Sequence, residues 1–189
     1  AGQLGSELVN VSLEEVSVSP DWLTQNHISS AAYARYFIPQ FVAEERVLYL
    51  DSDLVVNRDL QPLFDIFLEG KLVAAVGDAG GYGFNSGVLL IDNRAWKERQ
   101  LQETFIKETD RIMGLVQSGQ MEDFNGDQTV LNHVLAQDWL PLDKIYNLQV
   151  GHDLVAFYSG WNGHFELDKE PMIIHYTTYR KPWNSEISY

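Results

Sequence analysis

The chain contains no cysteine, which excludes disulfides, thiolate nucleophiles and sulfur-ligated zinc. It is also short of positive charge: 13 Lys and Arg stand against 27 Asp and Glu, a formal net charge of −14 at pH 7. A field of that sign repels phosphates and argues against nucleic acid or an anionic membrane as a general partner. It also sets a condition, because a phosphate-ester substrate would need a local cation to override it. No apolar run reaches the roughly 20 residues that span a bilayer, and no basic-then-apolar signal opens the chain. These absences fit a cytoplasmic location, peripheral to a membrane only through segments outside these residues. The remaining composition is ordinary for a globular domain, with 45% hydrophobic and 21% charged residues among 189, enough for one domain (1–189) with a sizeable core.

There is no repeat, low-complexity tract or long linker. Leu8-Val9-Asn10-Val11 reads as an early strand, and Ser29-Ser30 as the cap of a helix through 31–37, with Pro39 stopping it or sitting in its last turn. Val47-Leu48-Tyr49-Leu50 is a short apolar run bounded by charge, the pattern of a buried strand. A short helix follows over 62–67, ended by Gly70. Leu72 to Val76 and Gly87-Val88-Leu89-Leu90-Ile91 are further strands. Helical spacing covers 92–116, with Leu101, Phe105, Ile112 and Val116 on one face, and again 127–136. Met172-Ile173-Ile174 is a late strand. Strands alternating with helices predict an α/β domain with a mainly parallel, mixed sheet.

Asp51 and Asp53 stand directly behind the first of these strands. In an extended segment residues i and i+2 share a side, so both carboxylates can converge on one cation while Ser52 faces away. His175 occupies the same kind of place at the exit of another strand; its alternative role is a satisfied core histidine. Hard oxygen ligands favour magnesium or manganese, and one imidazole leans towards manganese. After His175 comes Tyr176-Thr177-Thr178-Tyr179-Arg180-Lys181-Pro182-Trp183, a loop of hydroxyls and cations suited to phosphate oxygens, in which Lys181 supplies the local charge the chain otherwise lacks. Gly83-Phe84-Asn85-Ser86-Gly87 permits close backbone approach, and Asn85 can both donate to and accept from sugar hydroxyls; a plain Gly-Asn turn reads equally well. Asp127-Gln128 opens a helix, where Asp127 taken alone reads as an N-cap.

YLDSDLVV, FNSGVLLID, DQTVLN and IIHYTTYRKPW, in that order, resemble glycosyltransferase family 8, the retaining transferases of the galactosyltransferase and glycogenin type. The resemblance runs from about 29 to 183. It implies a GT-A-type nucleotide-diphospho-sugar transferase domain that uses manganese, with magnesium as the second choice, and a UDP-glucose or UDP-galactose donor. The acceptor it implies is a carbohydrate, lipid-linked or protein molecule. By resemblance Asp51, Asp53 and His175 hold the metal, and Lys181 contacts the diphosphate, with Thr178 in the same loop. Arg35 lies near the donor sugar; Asp78, Asn85 with its neighbour Ser86, and Asp127 bind that sugar; Gln128 lies beside the reacting carbon. The family begins with a strand unit that grips uracil and ribose, and nothing ahead of Leu8 matches it. The expectation is therefore a fragment of a longer chain.

Two rivals remain at this level. Asp51-Ser52-Asp53-Leu54-Val55 also fits the nucleophile motif of a haloacid-dehalogenase-type phosphatase, although Tyr82 stands where that family's late aspartate belongs after Gly77-Asp78. The other is a non-catalytic carbohydrate-binding relative, in which Trp161-Asn162-Gly163-His164 and Trp183 would line a sugar groove or serve only as core and rim aromatics. His133 and His152 carry no chemistry in any of these readings.

Overall fold

The run Val88-Leu89-Leu90-Ile91 is apolar without alternation, the pattern of a strand covered on both faces. In the computed structural model, which describes residues 9–12, 16, 18–22, 30–151, 170–178 and 181–183, this run lies in strand β4 (Val88–Asp92), and its four apolar side chains are buried. β1 (Arg46–Leu50) and β3 (Val73–Val76) flank β4, both antiparallel to it, and β5 (Trp139–Leu142) joins β3 in parallel, giving the order β1-β4-β3-β5. Leu89 and Ile91 pack with Tyr33, Tyr36, Trp96 and Phe105 in the main core. Val88 and Leu90, turned to the other face by strand alternation, meet Leu63 and Ile173, and Leu68 and Ala74, respectively.

A second sheet has the order β2-β7-β6, from β2 (Leu54–Val56), β7 (Ile173–Tyr176) and β6 (Leu148–Val150). β2 runs antiparallel to β7 with Leu54 opposite His175, and β6 runs parallel to β7 with Gln149 opposite His175. The class is α/β with mixed sheets, as expected, but parallel pairing is the lesser part. Three of the five described pairings are antiparallel. Parallel neighbours need a long crossover, normally helical, and the loop over 77–87 that joins β3 to β4 carries no helix.

The helices depart from expectation in three places. Ser30–Phe37 is a 3-10 helix, and α1 (Ile38–Phe41) follows with Pro39 in its first turn, where a missing N–H does no harm, so Pro39 opens a turn instead of closing one. α2 (Gln61–Phe64) likewise carries Pro62 in its first turn. The periodic stretch 92–116 is two helices, α3 (Asn93–Glu98) and α4 (Leu101–Gln117), parted by Gln100 in the left-handed region at φ 53°. Asp92 ends β4 and caps α3 by accepting from the Ala95 N–H at 2.8 Å. α5 (Gly126–Val134) completes the set.

Residues 9–12 form no strand, and Val9 is 71% exposed. Apolar character and propensity alone do not make a strand there. β2, β5 and β6 were not anticipated: they are short, and β5 contains Pro141, which a sheet tolerates at its edge. Among the described residues no helix is long and apolar enough to cross a membrane.

Phe105, fully buried, stacks on Tyr36 at 5.1 Å and meets Trp96 edge-on at 5.1 Å. Phe105→Ala is expected to lower unfolding free energy by about 3–5 kcal/mol, measured by urea titration, because the rings around it cannot all collapse into the space.

Candidate active site

The registers of the two sheets assemble the site. The pairing of Leu50 with Val88 continues one residue further, where the Asp51 N–H donates to the Gly87 carbonyl at 2.8 Å. The pairing of Leu54 with His175 sets Asp53 beside the imidazole, and the Tyr176 N–H donates to the Asp53 carbonyl at 3.0 Å. Between the two sheets the chain bends at Ser52 and Asp53 instead of running extended, so Ser52 lines the same cavity as its neighbours. His175 Nε2 is then 3.1 Å from Asp53 Oδ1 and 3.9 Å from Asp51 Oδ2.

Asp51, Asp53 and His175 each offer one ligand atom, and these atoms lie within 4.8 Å of one another. Two carboxylates and one imidazole are a donor set for a hard or borderline divalent cation. Gly87 keeps the space open: a Cβ there would stand 2.1 Å from His175 Cε1 and 2.7 Å from Asp51 Oδ2. Lys181 Nζ lies 2.6 Å from Asp53 Oδ2 and also donates to the Tyr176 carbonyl. Burial raises the Asp53 pKa, but hydrogen bonds from His175 and Lys181 and their charges overcome it and bring the value down to about 2, so this carboxylate stays ionised.

Beneath the pair sits Arg35, 3% exposed. Its NH2 meets Asp51 Oδ1 at 3.0 Å and its Nε meets Asp127 Oδ2 at 3.1 Å, while NH1 donates to the Ser86 carbonyl. The guanidinium also lies over the Tyr49 ring, 4.5 Å from its centroid, and the Tyr49 hydroxyl donates to Asp51 Oδ1 at 2.7 Å. Burial opposes the charge on Arg35, yet Asp127, Tyr49 and Asp51 hold its pKa above the ordinary arginine value. Burial lifts the Asp127 carboxyl to about 6, with Arg35 pulling it down and Asp51 pushing it up. Asp127 is not the N-cap of α5: Asn125 holds that position, and Asp127 sits in the first turn, where a carboxylate faces the positive end of the helix.

Asp78, Asn85, Ser86, Gln128 and Thr178 line the same cavity, of about 620 Å³, as the acidic pair, His175 and Lys181. Gln128 Oε1 accepts from the Ser86 N–H at 3.1 Å and from Asn85 Nδ2 at 3.3 Å, and Gln128 Nε2 donates to Asp78 Oδ1 at 3.1 Å. The structure thus gathers Arg35, Asp51, Asp53, Asp78, Asn85, Ser86, Asp127, Gln128, His175, Thr178 and Lys181 around one space. His133 stands apart, pairing with Glu108 at 2.7 Å. Trp183 is 55% exposed and packs edge-on against Tyr176 at 5.7 Å. Residues 161–164, His152, Tyr179 and Arg180 lie outside the described residues.

Four residues of the site escaped the sequence reading: Tyr49, Asn132, Asn147 and Gln149. Asn132 brackets the loop before β4, accepting from the Phe84 N–H and donating to the Phe84 carbonyl, both at 2.7 Å. Gln149 accepts from the Ala79 N–H at 2.9 Å and donates to the Gly77 carbonyl at 2.9 Å, gripping the backbone on both sides of Asp78. Asn147 lies between His175 and Asn85. A signal existed: two amides alternate through the otherwise apolar Tyr146-Asn147-Leu148-Gln149-Val150, and Tyr49 stands two residues before Asp51.

The model of Glycosyl transferase family 8 matches residues 6–186. Glycosyltransferase GlyD of Streptococcus pneumoniae serotype 4 is 52% identical over 185 residues, 98% of this chain and 23% of its own. The crystal structure of glycosyltransferase GlyE of Streptococcus pneumoniae superposes with a TM-score of 0.72 at 37% identity, covering 84% of this chain and 39% of that one. Galactosyltransferase LgtC, solved with donor and acceptor sugar analogues, aligns with a TM-score of 0.66 at 25% identity, covering 87% of this chain and 64% of that one. The chain spans about a quarter of GlyD and under half of GlyE, at 23% and 44% of their lengths. The phosphatase reading is set aside: among the described residues the cation-ready group pairs Asp51 and Asp53 with His175, and Asp78 bonds Gln128 instead.

Arg35→Met would leave the buried Asp127 carboxylate without its cation, and Asp51 with the Tyr49 hydroxyl in place of the pair. It is expected to cost about 3–5 kcal/mol of stability at neutral pH. The loss should shrink as pH falls, because protonation of Asp127, whose folded pKa rises further above its unfolded value, removes the stranded charge. Urea titrations across pH measure both.

Proposed function

This chain belongs to glycosyl transferase family 8, and we propose that it carries the donor site of a retaining transferase that moves a hexose, glucose or galactose, from a UDP-sugar. The acceptor in this reading is a glycan, a lipid-linked sugar or a protein. The observation that supports it best is the set of Asp51, Asp53 and His175, with Lys181 beside it and Asp127 and Gln128 across the same cavity. The donor set fits a divalent cation, with manganese ahead of magnesium because one ligand is imidazole. A cation held there would neutralise charge on the donor diphosphate.

The protein's own groups account for the rest of the reaction. Lys181, which bonds Asp53, would meet phosphate oxygens as charge gathers on the departing UDP. As that bond lengthens, the sugar becomes cationic and faces the Asp127 carboxylate and the Gln128 amide. Asp127 is tied to Arg35 and Ser86 and is 3% exposed, an arrangement suited to stabilising the cationic sugar rather than attacking it. That favours departure and arrival on one face of the ring. Asp78 and Asn85, held by Gln128, are placed to bond sugar hydroxyls, and Ser86 and Thr178 add further hydroxyls to the wall.

UDP release from UDP-glucose or UDP-galactose is expected with manganese and lost with chelator, and Asp53→Ala should lower it by a factor on the order of 10² or more. Manganese-independent release, or an active Asp53→Ala protein, overturns the reading. The pH dependence of kcat/KM, which reports the free enzyme, should fall off on the acid side near the value of about 6 to which burial lifts Asp127. The residual activity of Asp127→Asn should lack that limb.

A further inference from the structure

Two backbone N–H groups decide the direction of a chain of side-chain amides. The Gly87 N–H donates to Asn85 Oδ1 at 3.1 Å, and the Ser86 N–H donates to Gln128 Oε1 at 3.1 Å. A backbone N–H only donates, so both receiving atoms must be oxygen, and neither amide can be flipped. The other contacts then follow without choice. Asn85 Nδ2 donates to Gln128 Oε1 at 3.3 Å, and Gln128 Nε2 donates to Asp78 Oδ1 at 3.1 Å. In the opposite direction, Asn147 Nδ2 must be the atom 2.9 Å from Asn85 Oδ1, which turns Asn147 Oδ1 towards His175 Nδ1 at 3.0 Å. An amide oxygen only accepts, so His175 Nδ1 carries a proton.

We propose that Asn147 is a positioning residue that keeps the proton of His175 on Nδ1 and reserves Nε2 for the side facing Asp51 and Asp53. This role rests on the cation reading of those three residues. Asn147 is 1% exposed and His175 3%, so water does not readily substitute for the contact. An oxygen on Nδ1 orients the ring and raises the basicity of Nε2, the usual task of a group behind a metal-binding histidine. The alternative tautomer has a competitor ready for it, since Asp53 Oδ1 lies 3.1 Å from Nε2 and would accept a proton placed there. Asn147 supplies the acceptor that opposes this pull and favours the Nδ1–H form. Its own direction comes from Gly87, the residue whose lack of a Cβ also leaves room for the ring.

The test combines tautomer and affinity. Protein with 15N-labelled histidine, metal-free and well above the ordinary histidine pKa, is examined by NMR, with His175 identified by its absence in His175→Gln. The expected result is the Nδ1–H tautomer in wild type and Asn147→Asp, which keeps an oxygen on the ring, and the Nε2–H tautomer in Asn147→Leu. Manganese affinity, followed by the electron paramagnetic resonance of free ion, should fall roughly 10–100-fold in Asn147→Leu and be restored in Asn147→Asp. An Nε2–H tautomer in the wild type overturns the proposal without reference to any variant or metal. Equal manganese affinity in wild type and Asn147→Leu overturns it as well. An Nδ1–H tautomer that Asn147→Leu abolishes, in a wild-type protein that binds no manganese, supports Asn147's hold on the ring and overturns the cation reading instead.

Discussion

One buried guanidinium holds this site together. Arg35 joins Asp51, from the end of the central sheet, to Asp127, from the start of α5, and also binds the Ser86 carbonyl ahead of β4. Three separate stretches of chain thus depend on a single positive charge in a protein of net charge −14. Burying any of these ions alone would be prohibitive; together, with the Tyr49 hydroxyl and backbone oxygens completing their hydrogen bonds, they become tolerable. Such a cluster contributes more to geometry than to stability, because moving any one member strands the charge of another.

The second constraint is register. β2 and β7 are short, and their pairing leaves little freedom, since a slip by one residue would turn His175 away from Asp53 and expose Ile173. The apolar side chains of this small sheet are therefore what place an imidazole against a carboxylate 122 residues away. Gly87 belongs to the same logic: the backbone of the neighbouring sheet comes within contact of the ring only because no side chain intervenes.

The cavity is walled and backed by hydrogen-bonded amides: Asn85 and Gln128 line it, and Asn147 and Gln149 are buried behind it. Gln128, Asn85, Asn147 and Gln149 each use both ends of their amides on neighbours, so donors and acceptors are already paired before a ligand arrives. Paired amides reorganise little when charge develops nearby, which is the physical basis for stabilising a short-lived charged species. A polar cavity built this way suits a hydroxyl-rich, charged ligand better than an apolar one.

Local pattern alone determined the α/β class, the buried β4 strand from its unbroken apolar run, the amphipathic face of α4 through Leu101, Phe105 and Ile112, and the candidacy of Asp51, Asp53 and His175 from their places at strand exits. These features are written in periodicity and residue type, which neighbours along the chain suffice to express. The antiparallel bias of the sheets, the break at Gln100, the lack of strand at residues 9–11 of the one expected over 8–11 and the bend at Ser52 are not written in local pattern, and tertiary packing overrides local propensity at such places. The same holds for the roles of Tyr49, Asn147 and Gln149. A buried amide looks like any other in sequence, and the partners of Asn147 and Gln149, dozens of residues away, are chosen only when register and burial bring them within 3 Å or so, while Tyr49 lies close to its partner Asp51 in sequence but to Arg35 only through the fold.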